Sequence, residues 1–78
     1  MYISKRLKEL RIVSGFSQEK LAELLDVSRQ TISSWENERS YPDVHNLIML
    51  CDIYSVSLDD LMKGDIDDEK RSGQHNSK

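Results

Sequence analysis

Three residues, Asp26-Val27-Ser28, separate two short stretches of helical periodicity, and this spacing restricts the fold more than any other feature of the chain. Upstream, Leu21, Ala22 and Leu25 fall on one face of a helix; downstream, Ile32 and Trp35 lie three apart on one side. Ser28 reads as the N-cap of the downstream helix, its hydroxyl accepting from an orphan backbone N–H in the first turn. The upstream helix must therefore end, and the chain turn, in almost no length. Two short helices crossing steeply satisfy this, which is the helix-turn-helix geometry. Glycine is the usual corner residue, because the backbone there goes left-handed. Asp26 holds the place instead, and Asp tolerates that region better than most residues.

The serine cap recurs. Phe16-Ser17 precedes Leu21, Val27-Ser28 precedes Ile32, and Val56-Ser57 precedes Leu61, each with an apolar residue placed to staple onto the fourth helical position. Asp43, after the single proline Pro42, is a fourth cap, and Asp60 completes a Ser-x-x-Asp capping box with Ser57. No window alternates as a strand would. The expected fold is all-α, with five helices over about Ile3–Val13, Gln18–Leu25, Arg29–Asn37, Val44–Tyr54 and Leu58–Lys63. Gly15 ends the first and Gly64 the last. Ile3, Leu7 and Leu10 share one face of the first helix, and Val44, Leu47, Ile48, Cys51 and Tyr54 are the expected core face of the fourth. The domain is read as residues 1–64. The tail 65–78, "DIDDEKRSGQHNSK", has Ile66 as its one apolar residue and is expected to be disordered.

A chain of 78 residues is one small domain, near the lower limit for a self-sufficient core. Its single cysteine, Cys51, permits no internal disulfide, reads as a small buried apolar residue, and points to a reducing cytoplasmic setting. "MYISKRLKELR" is charged every few residues where a signal peptide would be apolar, and no apolar run is long enough for a membrane span. His45 and His75 have no partner at metal-ligand spacing, and the serines have no His/Asp constellation behind them. No metal, cofactor or enzymatic chemistry is expected.

The net charge of −3 argues against a nucleic-acid partner until its distribution is read. Residues 1–40 hold seven Lys/Arg against six Asp/Glu; residues 41–78 hold four against eight, and "DIDDE" alone supplies four acids. A basic surface, if present, is local and N-terminal. The third helix, "RQTISSWEN", has two unlike faces. Ile32 and Trp35 form an apolar side, with Trp35 better read as core than as a stacking platform. Gln30, Ser33, Ser34 and Asn37 form a side of short hydrogen-bonding groups, led by Arg29. An ordinary solvent face would be Glu and Lys.

These residues resemble the Cro/C1-type helix-turn-helix family, also called the XRE family, of phage repressors and bacterial regulators. The resemblance covers about Ser4 to Gly64 and rests on Gln18 opening the second helix, Ala22 within it, "VSRQTIS-W", Glu36-Asn37, Pro42 and the closing "VSLDDLM". Asp26 departs from the family's common Gly, and Cys51 stands where Ala is frequent. The resemblance implies a compact five-helix, lambda-repressor-like domain binding double-stranded DNA, usually as a homodimer on a palindromic operator, and most often a repressor. The third helix would lie in the major groove. There Arg29 suits a bidentate contact to guanine and Gln30 to adenine, while Ser33 and Ser34 are short enough to let the helix seat deeply and reach a base. Gln18, Ser28, Thr31, Asn37 and Arg39 are placed for phosphates, and Arg11 is expected to pair with Glu36 as well as face a phosphate. Val56, Leu58, Leu61 and Met62 are the expected dimer surface. Two other readings stand beside this one: a protein-interaction module such as an antitoxin with its own partner, and the N-terminal DNA-binding part of a larger regulator.

Overall fold

The computed structural model describes residues 2–62, which form four helices and a short fifth: α1 Tyr2–Val13, α2 Gln18–Leu25, α3 Arg29–Glu36, α4 Val44–Tyr54, and α5 at 58–62. No strand occurs among the described residues. The expected boundaries that fall among the described residues hold to within a residue. Lys63, the stop at Gly64 and the tail 65–78 lie outside the described residues.

The four expected N-caps are made. Ser17 Oγ accepts from the Lys20 N–H at 3.0 Å, Ser28 Oγ from Thr31 at 3.1 Å, Asp43 Oδ1 from Asn46 at 2.9 Å, and Ser57 Oγ from Asp60 at 3.0 Å. Every longer helix also ends in the same way, with a left-handed residue that turns the next amide back onto the last turn. Gly15 (φ 80°) sends the Phe16 N–H to the Arg11 carbonyl at 3.1 Å, and Asp26 (φ 57°) sends Val27 to Ala22 at 3.0 Å. Glu38 (φ 62°) sends Arg39 to Ser34 at 2.9 Å, and Ser55 (φ 55°) sends Val56 to Cys51 at 3.0 Å. The corner at Asp26 thus takes the left-handed conformation expected of it.

The core gathers Ile3 and Leu7 from α1, Leu21, Ala22 and Leu25 from α2, Ile32 and Trp35 from α3, Leu47 and Leu50 from α4, and Leu61 from α5. Leu10 packs against it half-buried. α3 touches both α1 and α2, and α2 also meets α4, so the short third helix is held from two sides. The expected core face of α4 needs correction. Leu47 is buried as expected, and Cys51 and Tyr54 are half-buried, but Val44 is 69% exposed and Ile48 53% exposed. Leu50 takes their place in the core. The cause is that α4 is apolar around most of its circumference, so periodicity cannot choose the buried stripe; packing against α2 does.

Candidate nucleic-acid interface

α3 begins at the Ser28 cap, and its Ile32 and Trp35 are drawn into the core. The opposite side is thereby turned outward, and Arg29 and Gln30 open it as exposed residues in the first turn. Ser33 and Ser34 are half-buried behind them. Asn37 caps the far end, its Nδ2 donating to the Ser33 carbonyl at 2.9 Å and to Ser33 Oγ at 3.1 Å. Ser28 Oγ and Thr31 Oγ1 lie 2.9 Å apart, so the cap serine and Thr31 form one hydroxyl pair at the helix start. Arg39 is exposed in the loop that follows α3.

The only acid in α3 is withdrawn from this face. Glu36 has a side chain 3% exposed and forms a two-pronged pair with Arg11, whose Nε donates to Oε2 at 2.7 Å and Nη2 to Oε1 at 3.1 Å. Arg11 Nη1 donates in turn to the Phe16 carbonyl at 3.0 Å, tying the α1–α2 loop to the same pair. Hydrogen bonding to Glu36 is the largest influence on Arg11 and raises its pKa further above the usual value; burial opposes it. Arg11 meets the first of its two expected roles. With its side chain 13% exposed, little of it is left to meet a phosphate. Tyr54 stands behind the pair: burial first, and then the charge of Glu36, push its phenol up to about 12. Its ring lies 6.3 Å from that of Phe16.

Gln18, the first residue of α2, joins the buried pair to the outward face. Its Nε2 donates to Glu36 Oε1 at 3.0 Å, and its Oε1 accepts from Arg29 Nη1 at 3.2 Å. The structure therefore brings Arg11, Gln18, Arg29 and Glu36 into one chain of contacts across α1, α2 and α3. Nothing in the sequence points to the link between Gln18 and Arg29. Their separation of eleven residues carries no signal unless the corner geometry is known in detail.

The residues expected to form a dimer surface separate into two kinds. Leu58 is 47% exposed, and Val56 and Met62 are half-buried, with Met62 Sδ accepting from the Tyr41 hydroxyl at 3.2 Å. Leu61 is 0% exposed within a single chain and belongs to its core, which corrects its expected place at the surface. A helix this short must anchor itself before it can present anything, and Leu61 is the anchor. Cys51 is half-buried, with burial pushing its thiol pKa up, as suits an inert packing residue.

Comparison with known proteins agrees with this fold. The helix-turn-helix family matches residues 7–61. The HTH-type transcriptional activator BcrR of Enterococcus faecalis is 38% identical over 65 residues, covering 83% of this chain and 32% of that protein. The HTH-type transcriptional regulator ImmR of Bacillus subtilis (strain 168) is 37% identical over 65 residues, covering 83% of this chain and 51% of that protein. The chain thus spans about a third to a half of the length of these relatives. Among solved structures, the restriction-modification controller protein C.AhdI from Aeromonas hydrophila superposes with a TM-score of 0.69 at 29% identity, covering 76% of this chain and 89% of that one. With its five helices, its tight α2–α3 corner and an uncharged outer face led by an arginine, the chain belongs to the Cro/C1-type helix-turn-helix family of DNA-binding regulators.

Proposed function

We propose that this protein is a sequence-specific transcriptional regulator that lays α3 in the major groove of a palindromic operator and binds as a homodimer. One observation carries the reading. The outer face of α3 offers Arg29 and Gln30 to solvent, while Glu36, the helix's only acid, is buried against Arg11. Arg29 then addresses a guanine and Gln30 an adenine, with Ser33 and Ser34 close enough for shorter contacts. Gln18, Ser28, Thr31, Asn37 and Arg39 flank this row and hold phosphates, fixing register without reading sequence. Val56, Leu58 and Met62 offer the apolar surface through which two copies pair. Repression is the simplest outcome, because occupying DNA requires only this face and a second copy.

Selection from a random DNA pool tests the reading directly. The bound sequences should show two inverted half-sites about one helical turn, roughly 34 Å, apart. Arg29→Ala and Gln30→Ala should each relax preference at one base pair per half-site, at a cost of ~1–3 kcal/mol in discrimination. Profiles unchanged by both substitutions would remove α3 as the reading element. Enrichment of single, unpaired sites would remove the homodimer.

A further inference from the structure

We propose that Glu36, although its side chain is buried, is a specificity-determining positioning residue: acting through Gln18, it holds Arg29 in its reading pose. This inference rests on the DNA-reading function proposed above. Its basis is the chemistry of one amide. The Gln18 carboxamide has an accepting end and a donating end. Arg29 can only donate, and it meets the accepting end, Nη1 to Oε1, at 3.2 Å. The carboxylate of Glu36 accepts, and it meets the donating end, Nε2 to Oε1, at 3.0 Å. Rotating the amide by half a turn would set N–H groups against a cation and a carbonyl against a carboxylate. Both partners therefore select the same orientation.

The two partners are not equally fixed. Arg29 is exposed on a long, flexible side chain, whereas the Glu36 side chain is 3% exposed and held by two hydrogen bonds from Arg11. Arg11 is itself secured to the Phe16 carbonyl. Order therefore runs outward from the buried pair, through Gln18, to the guanidinium. An arginine tethered in this way has less rotamer freedom to lose when it meets a base, and its remaining N–H donors stay available for a two-point contact. The second N–H of Gln18 Nε2 is also left for a phosphate, so the two roles are compatible but have different signatures. Losing a phosphate contact weakens all sequences alike; losing a positioning contact flattens preference at one base pair.

The experiment compares base-preference profiles from the same random duplex pool for the wild type, Arg29→Ala, Gln18→Met, Glu36→Gln, and the exchange Gln18→Glu with Glu36→Gln. The base pair whose preference is lost in Arg29→Ala defines the readout. Gln18→Met and Glu36→Gln should each lower preference at that pair by about fivefold and leave the other positions intact. The exchange should restore it, because the new carboxylate at position 18 accepts both from Arg29 and from the new amide at position 36. Gln18→Met leaves the Arg11–Glu36 pair whole, so its profile tests the Gln18–Arg29 link even where Glu36→Gln fails to fold, while a folded Glu36→Gln that keeps the full profile would overturn the role of Glu36. Uniform weakening by Gln18→Met, with the profile retained, would reduce Gln18 to a phosphate contact and overturn the proposal. If Arg29→Ala itself leaves every position unchanged, it is the underlying recognition-helix reading that fails.

Discussion

Tyr54 carries a hydroxyl that is buried with no hydrogen-bond partner among the described residues. Its desolvation is uncompensated, so Tyr54→Phe should leave stability at neutral pH unchanged or raise it by up to about 1 kcal/mol in urea unfolding. The same phenol gives a pH signature. Burial, and then Glu36, push it up to about 12, with Arg11 acting in the other direction, while in an unfolded chain it titrates near 10. The folded state holds this proton more tightly than the unfolded one. The contribution to stability is therefore complete below about pH 10 and is lost as pH rises from there through about 12. Tyr54→Phe should flatten this alkaline limb. Two backbone positions make a matching case. Asp26 and Ser55 sit at φ 57° and φ 55°, where glycine is at ease and a side chain is not. Ser55→Gly should stabilise by about 1 kcal/mol and Asp26→Gly by less, since Asp visits the left-handed region more readily.

Among the elements, α3 depends most on what holds it. Arg11 reaches it from α1 and Gln18 from α2, both at Glu36. Removing one partner of a pair this buried leaves the other uncompensated, so Arg11→Met should cost about 3 kcal/mol, a large share of the stability of a small domain. Arg11→Met combined with Glu36→Gln should cost clearly less than the sum of the two, measured as a double-mutant cycle by thermal unfolding. At this scale much was legible in the sequence. The caps at Ser17, Ser28, Asp43 and Ser57 are local chemistry, and each reads as such. The Asp26 corner follows from chain length alone. The buried stripe of α4 was not legible, because Val44 and Ile48 are as apolar as Leu47 and Leu50 and only the neighbouring helices separate them. Nor were the left-handed ends at Glu38 and Ser55, which lack the glycine that marks Gly15. The Arg11–Glu36 pair was expected from resemblance to a family, but the passage through Gln18 to Arg29 needs atomic positions. It is set by side-chain reach across a corner, which sequence spacing does not encode.

On the scale of the whole molecule, the distribution of charge makes a kinetic and ionic prediction. Of the residues proposed to face DNA, only Arg29 and Arg39 are exposed cations; Gln18, Ser28, Thr31 and Asn37 would meet phosphates as neutral donors. Neutral donors release no counterions. For a dimer presenting about four such cations, the slope of log affinity against log salt should be about −4 or shallower. Fluorescence anisotropy titrations of a selected duplex over a range of salt would measure it, and Arg39→Gln should make it shallower still. A final consequence concerns Leu61. Because it is sealed in the core, α5 cannot swing as an independent arm, and two copies joined across it as proposed would inherit their separation from the interior of each monomer. The pair would act as a caliper of fixed gauge. Each base pair added or removed between half-sites turns one of them by about a tenth of a revolution, which a surface anchored to the core through Leu61 would not follow. Operators differing only in spacer length would then be distinct addresses, told apart through a leucine sealed inside each monomer.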